Sequence, residues 1–448
     1  MKLKVVVFLL FLTFSAYTQE VEPSRLATIK YGTETEIASL IQSLRNENAD
    51  YLDDELVALI ETTRNQKILS GIFAFFGERE KSGLEDRAIR AIEERDEEAN
   101  ETIFSAVDYL GMVKSAKAVP VLMDLLDTEE RRFMNSAFRA LGRASSAEKE
   151  LADQTADFLI DYYTYRDPGN ENRREVIIAL GATGSVKGIS LLAELAANTD
   201  ERIPLRIAAL DALSKVGDSG GLEAILGCIG TNDPNVRSAA VAALGPFSGD
   251  EVDKAILDAF RDSYYRTRIA AAQASRERKL AAAVPYLKFR VERDDVPNVK
   301  DEAIRALGEI ANEEAIGVLD SLFTERKNSD RVRMISAEML MKTSGRNYLS
   351  RLIVELDEAK LKNQTALTNG FLKVIGETKI EGDTGEMENL TRRFLQNGNI
   401  IEKLYGLDMA ANNNLNGLSE EIKALLNDKN ESLSRKARRT AERLGIEI

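Results

Sequence analysis

The sequence predicts an all-α fold, an α-solenoid of about twelve repeated helix pairs. Three observations support this prediction. One phrase recurs along the chain, apolar residues between its copies have helical spacing, and 448 residues exceed one ordinary globular core. Because each unit of such an array packs on its neighbours, the architecture follows from the repeat itself.

The segment 1–18 has the layout of a secretory signal peptide. Lys2 and Lys4 precede an apolar run over 5–14, shorter than the ~20 residues that span a bilayer, and a cut is predicted between Thr18 and Gln19. We expect an exported chain, periplasmic or extracellular, with no integral membrane span after cleavage; an uncleaved anchor is the alternative. The predicted divisions are a signal peptide at 1–18, a linker at 19–33, an N-terminal capping helix at 34–50 and the repeat array at 51–448.

The recurring phrase ends at one position that serves as an anchor for each repeat. Its best copies are RSAAVAALG at 237–245 and KDEAIRALG at 300–308. The anchors are Gly77, Gly111, Gly142, Gly181, Ser214, Gly245, Arg276, Gly308, Met341, Gly376, Ala410 and Gly445. Successive anchors recur with a period of about 33 residues, and this regularity indicates one structural unit per copy.

Each unit is predicted to hold two helices. The first carries apolar residues three and four positions apart, as at Val119, Leu122 and Leu126, and therefore has one stripe to bury. The second follows Asp or Asn, as at Asp233, whose side chain can accept hydrogen bonds from the free N–H groups of the first turn. We expect the anchor glycine to adopt the left-handed conformation that ends a helix.

The motif DPxVRxxAxxALG at 233–245, with AVP at 118–120 and 283–285, resembles HEAT repeats. The nearest type is the short bacterial repeat named after bilin lyases. The resemblance covers roughly 51–445 and implies a right-handed superhelix of about twelve HEAT-like helix pairs. It implies little about activity, because this repeat serves many unrelated functions.

Composition excludes several classes of chemistry. The chain has no histidine, so histidine bases, Ser-His and Cys-His pairs and histidine-containing zinc sites are excluded. The single cysteine, Cys228, lies in an apolar helical stretch and is predicted to be a core thiol. We expect no catalytic residues, no bound metal and no cofactor.

Charge argues against nucleic acid as a partner. The net charge is −14, and loss of Lys2 and Lys4 with the leader makes it −16. Residues 20–130 hold 25 acidic and 12 basic side chains, whereas the last predicted helix carries Arg435, Lys436, Arg438, Arg439 and Arg443. Such asymmetry can orient a partner or a second copy, although solvated helix faces account for it equally well.

Basic residues also recur eight positions before the anchor, at Arg206, Arg237, Arg268, Lys300 and Arg333. Stacked repeats would align them. We interpret them as a structural ladder paired with Asp or Glu of adjacent turns, with ligand contact as the alternative.

The candidate partner-binding residues are aromatic and basic. Five of the twelve tyrosines lie between the two helices of a unit, in the segments 162–166 and 264–266. Tyr and Arg are enriched at binding hot spots, but tyrosines near helix ends also cover cores. The candidates are Tyr162, Tyr163, Tyr165, Arg166, Tyr264, Tyr265 and Arg266. Three repeats apart, the two clusters are expected on one edge, on the order of 30 Å from each other.

These observations favour a non-enzymatic, exported scaffold or adaptor that binds a protein or peptide on a concave face or on the turns between helices. One alternative is a structural envelope component that self-associates, acidic end to basic end. A carboxylate-based enzyme is the other, but no pair of carboxylates is placed in a cleft by the sequence.

Overall fold

A computed structural model describes residues 23–128, 130–166 and 169–447. The predicted signal peptide, 1–18, lies outside the described residues. Throughout the described part the chain is helical and contains no strand, as predicted. It divides into two compact units, with the boundary between Gly188 and Ile189.

Each unit is a series of antiparallel helix pairs, and we call the first helix of a pair helix A and the second helix B. The first unit has five described pairs. Its A helices are α1 (Pro23–Tyr31), α3 (Asp53–Thr62), α5 (Glu85–Glu93), α7 (Val119–Asp127) and α9 (Lys149–Tyr165). Its B helices are α2 (Glu34–Glu47), α4 (Gln66–Glu78), α6 (Asn100–Met112), α8 (Arg131–Ser145) and α10 (Gly169–Thr183).

The second unit has eight described pairs, and its α20 (Asp330–Leu361) serves two of them. Its A helices are α11 (Ile189–Ala197), α13 (Leu222–Ile229), α15 (Asp250–Ala259), α17 (Val284–Arg293), α19 (Glu313–Thr324), the second half of α20, α22 (Gly385–Asn397) and α24 (Ser419–Lys423). Its B helices are α12 (Ile203–Val216), α14 (Pro234–Ala242), α16 (Tyr265–Glu277), α18 (Pro297–Ile310), the first half of α20, α21 (Thr365–Glu377), α23 (Ile400–Asn412) and α25 (Glu431–Leu444).

Helix B of one pair packs on helix B of the next within each unit. In α8 the side chains of Phe133, Phe138 and Leu141 are fully buried, while α7 buries the predicted stripe that includes Leu122 and Leu126. Because a single pair cannot enclose its apolar face, each pair depends on its neighbours for burial.

The predicted helix caps are present where the motif is complete. Asp233 accepts hydrogen bonds from the N–H groups of Asn235 (2.8 Å) and Val236 (3.1 Å), and Pro234 occupies the first helical position of α14. Proline loses nothing there because its missing donor would have no partner inside the helix.

The predicted boundaries at the N-terminus differ from the structure. Residues 19–33, expected as a linker, include α1, and 34–50, expected as a lone capping helix, contains helix B of a complete pair. The two helices are joined by an ion pair from Arg25 to Glu47 (2.7 Å). Helix α1 has a weak apolar pattern and buries Ile29 alone, which explains why the sequence did not reveal it.

The predicted role of the anchor glycine was wrong at most anchors. Of the described anchors, Gly445 is the one glycine with positive φ (66°), and the left-handed residue usually comes three positions later. It is Glu80, Lys114, Gly184, Gly217, Lys279 or Ala311. After Glu80, Lys81 N–H donates to the carbonyl of Phe76 (2.9 Å), so helix α4 ends in a Schellman motif.

The anchor glycine instead permits close approach of consecutive B helices. A Cβ on Gly111 would lie 2.8 Å from the Cα of Ala140, and one on Gly142 would lie 2.4 Å from the carbonyl oxygen of Ala179. In both cases the obstacle is backbone of the next helix B, which cannot move aside as a side chain can. The small residue is therefore required by packing between repeats.

Where the anchor is Met341, the helix does not stop. Helix α20 continues from helix B of one pair into helix A of the next, with non-helical backbone at Ser344 (φ −148°, ψ 39°). The repeat at Met341 therefore ends in a kink rather than in a turn.

Gly142→Ala should lower the free energy of unfolding by about 1–3 kcal/mol, because the new methyl group overlaps the backbone of α10. Urea denaturation followed by circular dichroism measures this change. Gly227→Ala is the matched control, since Gly227 also lies within a helix and its Cβ would meet nothing within 4 Å. That control should be stabilising by about 0.5–1 kcal/mol, and equal losses for both variants would contradict the packing role.

Candidate protein-binding surfaces

The first tyrosine cluster closes helix α9. Tyr162 is 3% exposed and packs edge-on against Phe138, with ring centroids 5.2 Å apart. The guanidinium of Arg166, which follows the helix, lies 5.4 Å from the centre of the Tyr162 ring. The structure thus places Tyr162 in the core, where its ring covers apolar neighbours, and not on the surface with the other candidates.

The remaining members of this cluster differ in exposure. Tyr163 is half-buried, with the guanidinium of Arg173 at 5.5 Å from its ring centre, whereas Tyr165 is 81% exposed. Arg166 forms an ion pair with Asp127 of the preceding helix A. Tyr165 is therefore the member of the cluster that offers a ring to a partner.

The second cluster opens helix α16. Tyr264 precedes the helix and donates its hydroxyl hydrogen bond to Asn235 Oδ1 (2.9 Å), which ties it to the neighbouring repeat. The ring of Tyr265 packs edge-on against Tyr264, with centroids 5.3 Å apart. Arg266 is exposed and donates from Nε to the hydroxyl of Tyr265 (3.2 Å).

The sequence predicted each cluster between helix A and helix B of one pair; the structure places the first at the C-terminal end of α9 and the second at the start of α16. The clusters belong to different units, and their separation on a common edge, on the order of 30 Å, stays a prediction. Tyr162 and Tyr264 carry packing and hydrogen-bonding roles. Tyr165 and Arg266 have the exposure and chemistry of contact residues, whereas Tyr265 is half-buried.

A feature that the sequence did not reveal is the location of the other exposed apolar side chains. We call the connection from helix A to helix B an AB turn. Six of the nine large hydrophobic residues that the described part exposes lie at helix ends flanking an AB turn. They are Tyr31, Tyr165, Ile203, Leu361, Ile400 and Ile401. Contiguous exposed apolar residues, unlike isolated ones, indicate an interaction surface.

In the second unit this pattern is concentrated at two consecutive repeats. Leu361, which is 84% exposed, ends helix α20, while Ile400 and Ile401 begin α23. Beside them Lys360 donates a hydrogen bond to Glu402, which joins the two turns. We call these three apolar residues the 361/401 patch. It has the anatomy of a small contact site, with apolar residues beside a polar rim.

The basic ladder is a structural feature at four of its five positions. Arg237 makes two hydrogen bonds to the carboxylate of Asp262 (2.9 and 3.1 Å), and Arg268 makes two to Asp294 (2.7 and 2.9 Å). Arg206 donates to the carbonyl of Ala196 (2.9 Å). Arg333 donates to Glu355 and to a backbone carbonyl at the end of its own helix A. Lys300 makes no such bond among the described residues.

The ladder links one repeat to the next through charge. Burial by itself would raise the pKa of Asp262 and Asp294, but hydrogen bonds from Arg237 and Arg268, with backbone N–H groups, hold each pKa below its ordinary value. Arg268 Nη1 also donates to the carbonyl of Asp262 (3.0 Å). The prediction of pairing with Asp or Glu is therefore confirmed at Arg237, Arg268 and Arg333, but not at Arg206, which donates to a carbonyl, or at Lys300.

Three further features of the described part concern the cysteine thiol, metal ligands and membrane-spanning helices. Cys228 is buried, its thiol donates to the carbonyl of Ala196 (3.3 Å), and burial raises its pKa. Within the described ranges, no group of three or more potential ligands is arranged to hold a metal ion. No described helix is both long and apolar enough to cross a bilayer.

A family model for the spirochaete HEAT repeat protein matches residues 29–440. The chain belongs to this family. The HEAT resemblance read from the motif at 233–245 is thereby confirmed over nearly the whole described chain, and it includes α2, which the sequence had set apart from the repeats. No curated protein matches this HEAT repeat protein.

Solved structures of similar fold include karyopherins. A mutant of Kap121p is 14% identical, with a TM-score of 0.46, and the match covers 94% of this chain and 51% of that one. Karyopherin Kap121p bound to the extreme C-terminus of the protein phosphatase Cdc14p is 13% identical, with a TM-score of 0.44 and coverages of 94% and 53%. This HEAT repeat protein thus spans about half the length of those chains, and the likeness concerns fold alone.

Asp294→Asn should lower the free energy of unfolding at neutral pH by about 3 kcal/mol, because it leaves the largely buried Arg268 without its counter-charge. The ladder carboxylate stabilises the fold fully above its unfolded pKa of about 3.9, and this contribution is lost as the pH falls through the lower folded pKa. The difference between wild type and variant should therefore narrow below about pH 4. Urea titrations across this pH range measure it.

Asp211→Asn is the matched control for this ladder prediction. Asp211 pairs with Lys215 four residues later, and both side chains are about half exposed. Its replacement should change stability by less than about 0.5 kcal/mol at any pH. A difference between wild type and Asp294→Asn that does not change with pH would contradict the electrostatic role of the ladder.

Proposed function

We propose that this protein is a non-enzymatic scaffold that binds a protein or peptide along its AB turns, and that it works outside the cytoplasm. HEAT repeat solenoids are typically protein-binding scaffolds, and the chain belongs to such a family. The observation that carries the proposal is the concentration of exposed apolar side chains at AB turns, above all in the 361/401 patch.

Several properties of the AB turns favour a protein partner. Leucine and isoleucine at the 361/401 patch present apolar area that water solvates poorly, and Tyr165 and Tyr265 add rings with hydrogen-bonding tips. Lys360, which is partly exposed beside the patch and pairs with the buried Glu402, supplies a polar group at its edge. Such a combination suits a folded protein or an amphipathic peptide better than a small polar ligand.

A catalytic role has little support in the residues present. Histidine is absent from the chain, and the thiol of Cys228 is buried with a raised pKa, which disfavours the reactive thiolate. The four arginines of the basic ladder are engaged in structural hydrogen bonds and are not free to bind a substrate. For these reasons we propose binding as the activity of the protein.

Export rests on the segment 1–18. If the leader is cleaved as proposed, protein purified from the cell envelope or the medium should begin at Gln19, and its intact mass should lack the whole leader. Changing Lys2 and Lys4 to Glu should retain the precursor in the cytoplasm. Protein outside the cytoplasm that still carries Met1 would contradict cleavage and support an uncleaved anchor.

Binding at the AB turns can be tested by site-specific photo-crosslinking in intact cells. A crosslinking amino acid at Leu361 or Ile401 should capture one defined protein, because the 361/401 patch contacts it. The same amino acid at Val354, which is exposed on the A-helix segment of α20, should capture much less. Equal capture at all three positions would contradict a specific surface.

The affinity of variants of the 361/401 patch for the captured protein then measures how much the patch contributes to binding. Leu361→Ser with Ile401→Ser should raise Kd at least about tenfold, since each exchange removes apolar contact area worth roughly 1 kcal/mol or more. Tyr165→Ala and Tyr265→Ala test the tyrosine clusters separately. The matched control is Phe289→Ser, which alters another exposed apolar residue, on helix A, and should leave Kd unchanged.

A further inference from the structure

A groove of about 570 Å³ lies between helices α23 and α25 in the second unit. Helix α23 contributes Leu404, Asp408 and Ala411, and α25 contributes the larger part of the wall. The α25 residues are Ser432, Arg435, Lys436, Arg439, Thr440 and Arg443. The groove therefore combines a small apolar floor with a strongly basic wall.

Three arginines form the basic stripe of this wall. Arg435, Arg439 and Arg443 are four residues apart and so share one face of α25 over two helical turns, about 12 Å along the axis. All three are exposed. Within the part of the chain that the structure describes, none of them forms an ion pair with a carboxylate; Arg435 donates to a backbone carbonyl alone.

Other basic residues between B helices do have carboxylate partners in the structure. Lys436, on the same helix, pairs with Asp408 of α23 (2.6 Å), and Arg276 of α16 pairs with Glu302 of α18 (2.8 Å). The favourable effect of a cation near a helix C-terminus accounts for Arg443, which lies in the last turn. It does not account for the other two, whose charges repel at this spacing.

The same chain presents a complementary group of carboxylates. The AB turn after α5 contains the exposed side chains of Glu93, Glu94, Asp96 and Glu97. No described residue forms an ion pair with any of the four, whereas Arg95 between them is engaged by Glu130 (2.9 Å). This segment therefore presents four carboxylates without a described ion pair within five residues, which match the three arginines of the stripe in charge.

We propose that the groove between α23 and α25 binds the acidic turn 93–97 of a second copy of this chain. The charge distribution along the sequence raised self-association as a hypothesis, and the contact proposed here assigns it to particular residues. It does not rest on the proposed binding of another protein at the 361/401 patch. The groove and the acidic turn are formed by different residues of the chain, so the contact between two copies is heterologous and builds a ring or a chain of copies.

The proposal is tested by sedimentation of the purified protein as a function of concentration. In about 0.02 M NaCl the mean mass should rise with concentration, and in about 0.5 M NaCl the association should weaken at least about tenfold, because exposed charges are screened. The groove variant, in which Arg435, Arg439 and Arg443 are all changed to Glu, should be monomeric at both salt concentrations. So should the turn variant with Glu93, Glu94, Asp96 and Glu97 changed to Lys.

Mixing the two variants distinguishes this contact from a general effect of charge. The groove variant has an acidic groove and the turn variant a basic turn, so the mixture should associate although neither does alone. In the control variant, Lys254, Lys288 and Arg293 are changed to Glu. These three residues are exposed cations that form no ion pair within the described part of the chain, so the control should associate like the wild type.

A wild-type protein that is monomeric at all concentrations and salt levels would overturn the proposal, as would a mixture of folded variants that stays monomeric. Circular dichroism of each variant identifies a loss of folding. Capture through the 361/401 patch is measured with variants that leave both charged groups intact, so failure of one proposal does not imply failure of the other.

Discussion

Close approach between consecutive B helices is the constraint on which the rest of the structure depends. At Gly111 and Gly142 the next helix comes so near that a single methyl group would overlap its backbone. This contact sets the distance between repeats, and that distance in turn decides which A helices touch and which side chains can pair across a boundary. At these two anchors the sequence keeps glycine because the next helix B leaves no room for a side chain.

The ladder of Arg237, Arg268 and their carboxylates joins consecutive repeats of the second unit. Each arginine reaches the Asp of the next repeat in bidentate geometry and also satisfies carbonyls of the loop before its own helix. A buried ion pair of this kind adds little to the free energy of unfolding if it is compared with apolar residues in the same place. Removing one partner lowers that free energy strongly, because the other charge stays buried without a counter-charge. The pairs also fix the register between neighbouring repeats. The ladder therefore belongs to the framework, and function has to be sought at positions that the framework leaves free.

Two kinds of exposed side chain take no part in this framework: apolar side chains and charged side chains. At the AB turns, Leu361 and Ile401 expose apolar area that contributes nothing to the stability of the repeat that carries it. On α25, Arg439 and its neighbours expose positive charge that has no counterpart within the described chain, while the acidic turn after α5 exposes the opposite charge. An apolar surface favours tight contact with a protein partner, and a charged one gives contacts that respond to salt.

The sequence by itself determined the helical class, the repeat period, the caps such as Asp233 and the structural reading of the basic ladder, because these follow from local propensity and from residues spaced along one chain. It also predicted that both tyrosine clusters lie near the connection between helix A and helix B. Only the tertiary structure decided that Tyr162 is core and Tyr165 surface, that α1 and α2 form a full pair, that the anchor glycine serves helix approach, and that three arginines of α25 lack partners. Each of these four outcomes depends on contacts between residues about one repeat apart in the sequence. The local sequence pattern does not encode such contacts.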